Sequence, residues 1–246
     1  GLGAAVAYMD VTGTTQILIG NTGSISAAKG ILAEADLIIR VNPTADGYGV
    51  GWASAGMAAS RLRVTGKTLV TANSGSSLTS ATGDVKLTAY QTITSKTTTK
   101  AAGGGYVGSG TAALAFVDIT GETKVNSAAN VNAANGAYSL LAQQIINATA
   151  ESQGLAVAFG GAIGVAVARL NIKPVIAASV SGGTINAKNL VVKALFNVIN
   201  DADYTETGKM ESNAYAGAGG GVAGGSGANA EITVGGKATA EVSNAN

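Results

Sequence analysis

The chain has 246 residues, with 36 Gly, 2 Pro, 1 Trp, no Cys, no His, and 15 basic against 14 acidic side chains. Without Cys or His it has no disulfides, no zinc-thiolate or histidine metal site, and no imidazole chemistry of the Ser-His-Asp kind. A net charge of +1 argues against a nucleic-acid surface, and 46% hydrophobic content with 12% charged residues is unlike a disordered chain.

The chain opens on Gly1-Leu2-Gly3-Ala4 and closes on Val242-Ser243-Asn244-Ala245-Asn246, in mid-pattern. No targeting peptide is visible, and both ends read as continuing into more chain or another copy. Five segments then share one form. They are Ala4 to Gly13, Ala58 to Gly66, Ala112 to Gly121, Val165 to Pro174 and Ala228 to Gly235. Their anchors Val11, Val64, Ile119, Ile172 and Val234 lie 53, 55, 53 and 62 residues apart. Each follows a glycine-rich tract, and each is followed by short alternating runs broken by Gly, Asn and Ser. These are strand and turn signals. The clearest run, Ser181 to Ala194, matches Ser74 to Ala89, with looser copies at Thr22 to Ala35 and Ala129 to Ala142.

From Leu155 to Ala168, odd positions are mostly large (Leu155, Val157, Phe159, Ile163) and even positions small. That period of two predicts a strand and argues against a membrane helix. Repeats of this length without a helical period predict a solenoid or array. The expected fold is all-β, a parallel β-helix. Approximate repeat units are 1–47, 48–101, 102–153, 154–215 and a partial 216–246. Each 53-residue unit divides into about three coils of roughly 18 residues, giving about 13 coils and a rod about 60 Å long at the usual strand spacing.

The phrase Gly182-Gly183-Thr184-Ile185-Asn186-Ala187-Lys188-Asn189-Leu190-Val191-Val192-Lys193-Ala194 resembles the rungs of filamentous-haemagglutinin-type β-solenoids. With the alternating tract Gly154 to Asn171 before it, the chain is similar to leukotoxin-like filamentous adhesins of bacteria. The resemblance implies a right-handed β-helix that is secreted or displayed on the cell surface, within a longer polypeptide.

Other motifs reduce to the repeat. Gly103/Gly105/Gly108 and Gly219/Gly221/Gly224 match Gly-x-Gly-x-x-Gly, but a dinucleotide site needs a helix after the motif and both run into strand-like sequence. Gly66-Lys67-Thr68 lacks the upstream glycine of a phosphate loop. Asp201, Asp203 and Glu206 form a weak calcium candidate, in the repeat that carries the insertion. Thr97-Thr98-Thr99 reads as a polar outer face, and Asn147-Ala148-Thr149 is a sequon by pattern only. No column of acidic, basic and aromatic residues across consecutive coils is legible.

The function expected is a non-catalytic structural or adhesive segment without cofactor. It would assemble by stacking end to end or within a long shaft, with Leu155, Val157, Phe159, Gly160, Gly161, Ile163 and Gly164 as an assembly wall. Other copies of itself, further repeats, and surface glycans or proteins are the expected partners. The alternatives are a carbohydrate-binding or carbohydrate-active β-helix, a viral fibre included, and a membrane-active segment.

Overall fold

Period-two alternation covers most of the chain, and the backbone follows it. In the computed structural model, which describes residues 1–198 and 208–245, every regular element is a strand. They are β1 (Leu2–Ile19), β2 (Ser24–Ala27), β3 (Ile31–Val41), β4 (Thr44–Ala72), β5 (Ser77–Ser80) and β6 (Val85–Ser127). There follow β7 (Asn130–Ala158), β8 (Gly161–Val180), β9 (Ile185–Phe196), β10 (Met210–Gly220), β11 (Ala223–Val234) and β12 (Lys237–Val242). Leu155 to Ala168 runs as strand in β7 and β8, interrupted by a bend at Phe159 and Gly160. Among the described residues no helix is long and apolar enough to cross a membrane.

The twelve strands form one sheet, and the described pairings are parallel. Each residue pairs with its counterpart one repeat later, so successive repeats lie as layers upon one another. Val11 pairs with Val64, Val64 with Ile119, Ile119 with Ile172, and Ile172 with Val234. All five anchors therefore stand in one column. Ile25, Leu78, Val131 and Ile185 form another, through the shared turn phrase. The expectation of coils of roughly 18 residues is corrected: partners are a whole repeat apart, and none of the described pairings joins residues about 18 apart. The three parts of a repeat are sides of a single layer. The chain thus makes four to five layers and not about 13, about 20 Å deep at the usual strand spacing.

Each layer has a long first side (55–72 in one repeat), a short side (77–80), and a long second side that returns toward the first (85–105). Positive φ at Gly75, +83°, and Gly183, +86°, makes the turn into the short side, where a side chain would be strained. The interior narrows away from that short side. Leu78, Val85, Leu87, Tyr138, Leu140 and Ile176 fill its wide end. Leu62, Val64, Ile93, Ile119, Ile146 and Leu170 fill the middle. Beyond them only Ala45, Ala58, Ala101 and Ala113 fit, then Ala156, Ala158 and Ala162. Each large aliphatic side chain buried at the wide end contributes about 1.5–3 kcal/mol. The narrow end gains its stability from close backbone packing instead.

Between the first two clusters runs a polar seam. Gln91 and Gln144 are buried and pair in register, and Gln144 Nε2 donates to Gln91 Oε1. Gln91 Nε2 donates to Thr68 Oγ1 at 3.4 Å. Gly13, Gly66 and Gly121, themselves one column, stand opposite: a Cβ at Gly66 or Gly121 would collide with these two amides. Burying an amide is tolerable only with hydrogen-bond partners, and the glycine column makes room for the ladder.

Candidate assembly surface and ligand groove

At the narrow end the two long sides of a layer face one another almost backbone to backbone. A Cβ at Gly47, Gly154 or Gly164 would lie on the carbonyl oxygen of Met57, Val165 or Gly217 respectively. Hydroxyls fasten the sides further in: Ser152 Oγ donates to Ala113 O at 2.8 Å and Ser212 Oγ to Ala168 O at 2.9 Å. Because the small residues must point inward here, alternation turns the large ones outward. The result is a two-sided arm with a Gly/Ala interior and an apolar exterior.

The expected assembly residues all lie on this arm. Leu155, Val157, Phe159 and Ile163 are exposed, Phe159 and Gly160 form the bend between β7 and β8, Gly161 begins β8, and Gly164 is buried between the two sides of the arm. Gly and Ala were expected to let separate columns approach closely. In the structure they let the chain's own two sides approach, and the outer surface is made of the large residues. At the tip, over three layers, Trp52 meets Tyr106 edge to face with centroids 5.2 Å apart, and Tyr106 stacks on Phe159 at 5.4 Å. The tip sequence shows no charge: the nearest charged residues along the third layer are Glu151 and Arg169.

The first side carries a second feature on its outer face. Tyr8, Arg61, Phe116, Arg169 and Glu231 pair in register as one column, and Asp10, Arg63, Asp118, Asn171 and Thr233 as the next but one. Opposite charges meet between layers: Arg61 with Asp118 at 3.2 Å, Arg63 with Asp10 at 3.8 Å, and Arg169 with Glu231 at 3.3 Å. Asn171 Nδ2 donates to Asp118 Oδ1 at 3.3 Å. Arg61, Asp118, Arg169, Asn171 and Glu231, with Phe116 and Lys173, line an open groove of about 590 Å³. Acidic, basic and aromatic residues do therefore stack on one face. The signal was present in the five aligned segments, where these residues hold equivalent positions; dividing each repeat into three coils hid it.

Further along the same face the Lys124 ammonium, with Lys67 at 3.4 Å on the other side, holds the Glu122 carboxyl below the usual carboxylate range, against partial desolvation. The Ala137 N–H, donating at 2.9 Å, and then Lys86 lower the Asp84 carboxyl in the same way. Burial pushes the Tyr138 phenol up to about 12, so it stays neutral in the core.

The Gly-x-Gly-x-x-Gly matches lie at the arm, the first within β6 and the second across the bend from β10 to β11, and strand follows each. Thr97 and Thr99 are buried, so that run is mainly interior and not the polar outer face expected. Asn147 Oδ1 accepts from the Lys209 N–H at 2.8 Å, which ties its side chain to the next layer. Asp201, Asp203 and Glu206 lie outside the described residues. Among the described residues no three His, Cys, Asp or Glu side chains gather as for a metal ion.

Among the described residues, both faces of the stack present unpaired strand edges. β1, β2 and β3 each pair on one side only, as do β9, β10, β11 and β12. No protein-family model, curated protein or solved structure matches the chain.

Proposed function

We propose that the chain is a non-catalytic segment of a right-handed parallel β-solenoid, one turn per 53–62-residue repeat, from a secreted or surface-displayed bacterial filament. The observation that carries this reading is the pair of open edges. An edge strand offers a row of unpaired N–H and C=O groups that a further strand can continue, and a head-to-tail contact that does not close gives a fibre. The layers at each face also leave apolar side chains such as Ile17, Val11, Phe196 and Met210 only partly covered. Another copy, or further repeats of a longer chain, would complete both the ladder and the core. Negative-stain electron microscopy of the native chain should show fibres whose axial rise per chain is about 20 Å, from four to five layers at the usual spacing. Discrete particles at all concentrations would count against axial assembly.

A second reading rests on the groove at Phe116. Its volume suits a small ligand, and an aromatic platform beside arginines, carboxylates and an amide suits a saccharide bearing a carboxylate. Titration with oligogalacturonate, followed by calorimetry, should show binding that Phe116→Ala and Lys173→Gln each weaken. Equal affinity of both variants and the parent, or no binding, would remove this reading.

A further inference from the structure

The outer surface of the arm has relief as well as apolar character. On its second side, the first layer presents Tyr48 and Val50, exposed by 60% and 79%, and the third presents Leu155 and Val157, exposed by 54% and 51%. The layers in register with them have almost no side chain there. Ala102 and Gly104 lie between these two ridges, and Gly217 and Gly219 lie beyond the third layer. Ridge, furrow, ridge, furrow therefore succeed one another at the strand spacing of about 4.8 Å, so the ridges stand about 10 Å apart.

The geometry points to a second copy of this chain as the occupant of that face, its ridges seated in the furrows of the first. The four-layer order is its own complement when reversed. A dyad lying in the interface, parallel to the strands and midway between the second and third layers, sets Leu155 and Val157 over the partner's Ala102 and Gly104. The same operation sets Tyr48 and Val50 over the partner's Gly217 and Gly219, and each contact recurs by symmetry. This is the isologous contact expected of a twofold pair, and its dry interdigitation has the form of a zipper between sheets. A lipid surface is the poorer occupant. Inserting the arm would carry the unpaired edges of β1 and β10 into hydrocarbon, where such groups cost several kcal/mol each.

The footprint is modest, about 20 Å by 20 Å from four layers and six residues, below the roughly 800 Å² per partner of standard interfaces. A pair of single chains therefore associates weakly, and stacking more layers multiplies the contact. The pairing is lateral. It goes beyond the axial assembly proposed above and does not depend on it.

Gly104 gives the discriminating variant, because a Cβ there meets nothing within 4 Å. Gly104→Leu keeps the fold and fills the furrow. Sedimentation equilibrium of the full chain, carried to about 1 mM, the weak end of specific association, should show single chains pairing two by two or, where axial fibres form, fibres two chains wide. Gly104→Leu should weaken this pairing at least about tenfold, about 1.4 kcal/mol, as should Val157→Glu on the exposed ridge. Simple stickiness predicts the opposite for Gly104→Leu, since leucine adds apolar surface. Unchanged or tighter association of that variant overturns the proposal, as does a parent chain that stays monomeric throughout. Dimers without fibres would sink only the axial reading. Fibres with no lateral pairing would sink only this one.

Discussion

Gly121→Val is expected to destabilise the fold by roughly 2 to 6 kcal/mol, from overpacking of about 1–3 and loss of buried amide hydrogen bonds of about 1–3. Its Cβ would occupy the space of the Gln144 and Gln91 amides. Those amides cannot swing aside, because Leu37 and Phe196 close the ladder above and below, in register with Gln91 and Gln144. Urea denaturation with a common slope for variant and parent measures the loss. The triple variant Gly121→Ala with Gln91→Ala and Gln144→Ala should recover part of it, since it removes both amides that crowd the added carbon. A single Gly121→Val that unfolds with the parent would refute the account of the seam.

The second large effect belongs to the arm. Gly164→Val should force its two sides apart, because the added carbon would meet the carbonyl oxygens of Gly217 and Gly154. Backbone cannot rotate out of the way as a side chain does. The penalty expected is about 1–3 kcal/mol. It should be confined to the narrow end, so amide exchange across 154–168 should quicken by about 10- to 100-fold. Exchange across 140–146, in the wide core, should hardly move. Gly110→Ala is the control, since nothing lies within 4 Å of its Cβ. Alanine there should be neutral or stabilising by about 0.4–1 kcal/mol, through the unfolded chain. Equal losses at Gly110 and Gly164 would show that the glycines are not placed by close approach.

The register of the fold was legible before any coordinates. Five anchors spaced 53, 55, 53 and 62 residues apart turned out to be one paired column, because parallel layers must bring equivalent residues together. The size of a turn was not legible. Alternating short runs carry the same signal whether they are successive coils or successive sides of one layer, and only the pairing partner distinguishes them. The facing of Leu155, Val157 and Ile163 was also hidden. Alternation reveals two faces, and the usual rule places the larger residues inside. That rule fails where two backbones come so close that only Gly and Ala fit between them. The stacked charges at Arg61, Asp118 and Arg169 were missed for the first reason: they become neighbours only once the full repeat is taken as the turn.

The long return of the chain also shapes how it comes to be folded. No ladder bond can form until a loop of about 53 residues closes, and the separation is roughly a fifth of the chain. Contacts so distant in sequence place the protein among slow folders, on the scale of milliseconds to seconds. The first layer has nothing to align it, so it is the costly nucleus; every later layer is laid on a finished edge. The edge left after β12 is of the same kind as the one on which β12 was laid. Growth by one more layer of its own chain, and growth by capture of another molecule, are then the same elementary step.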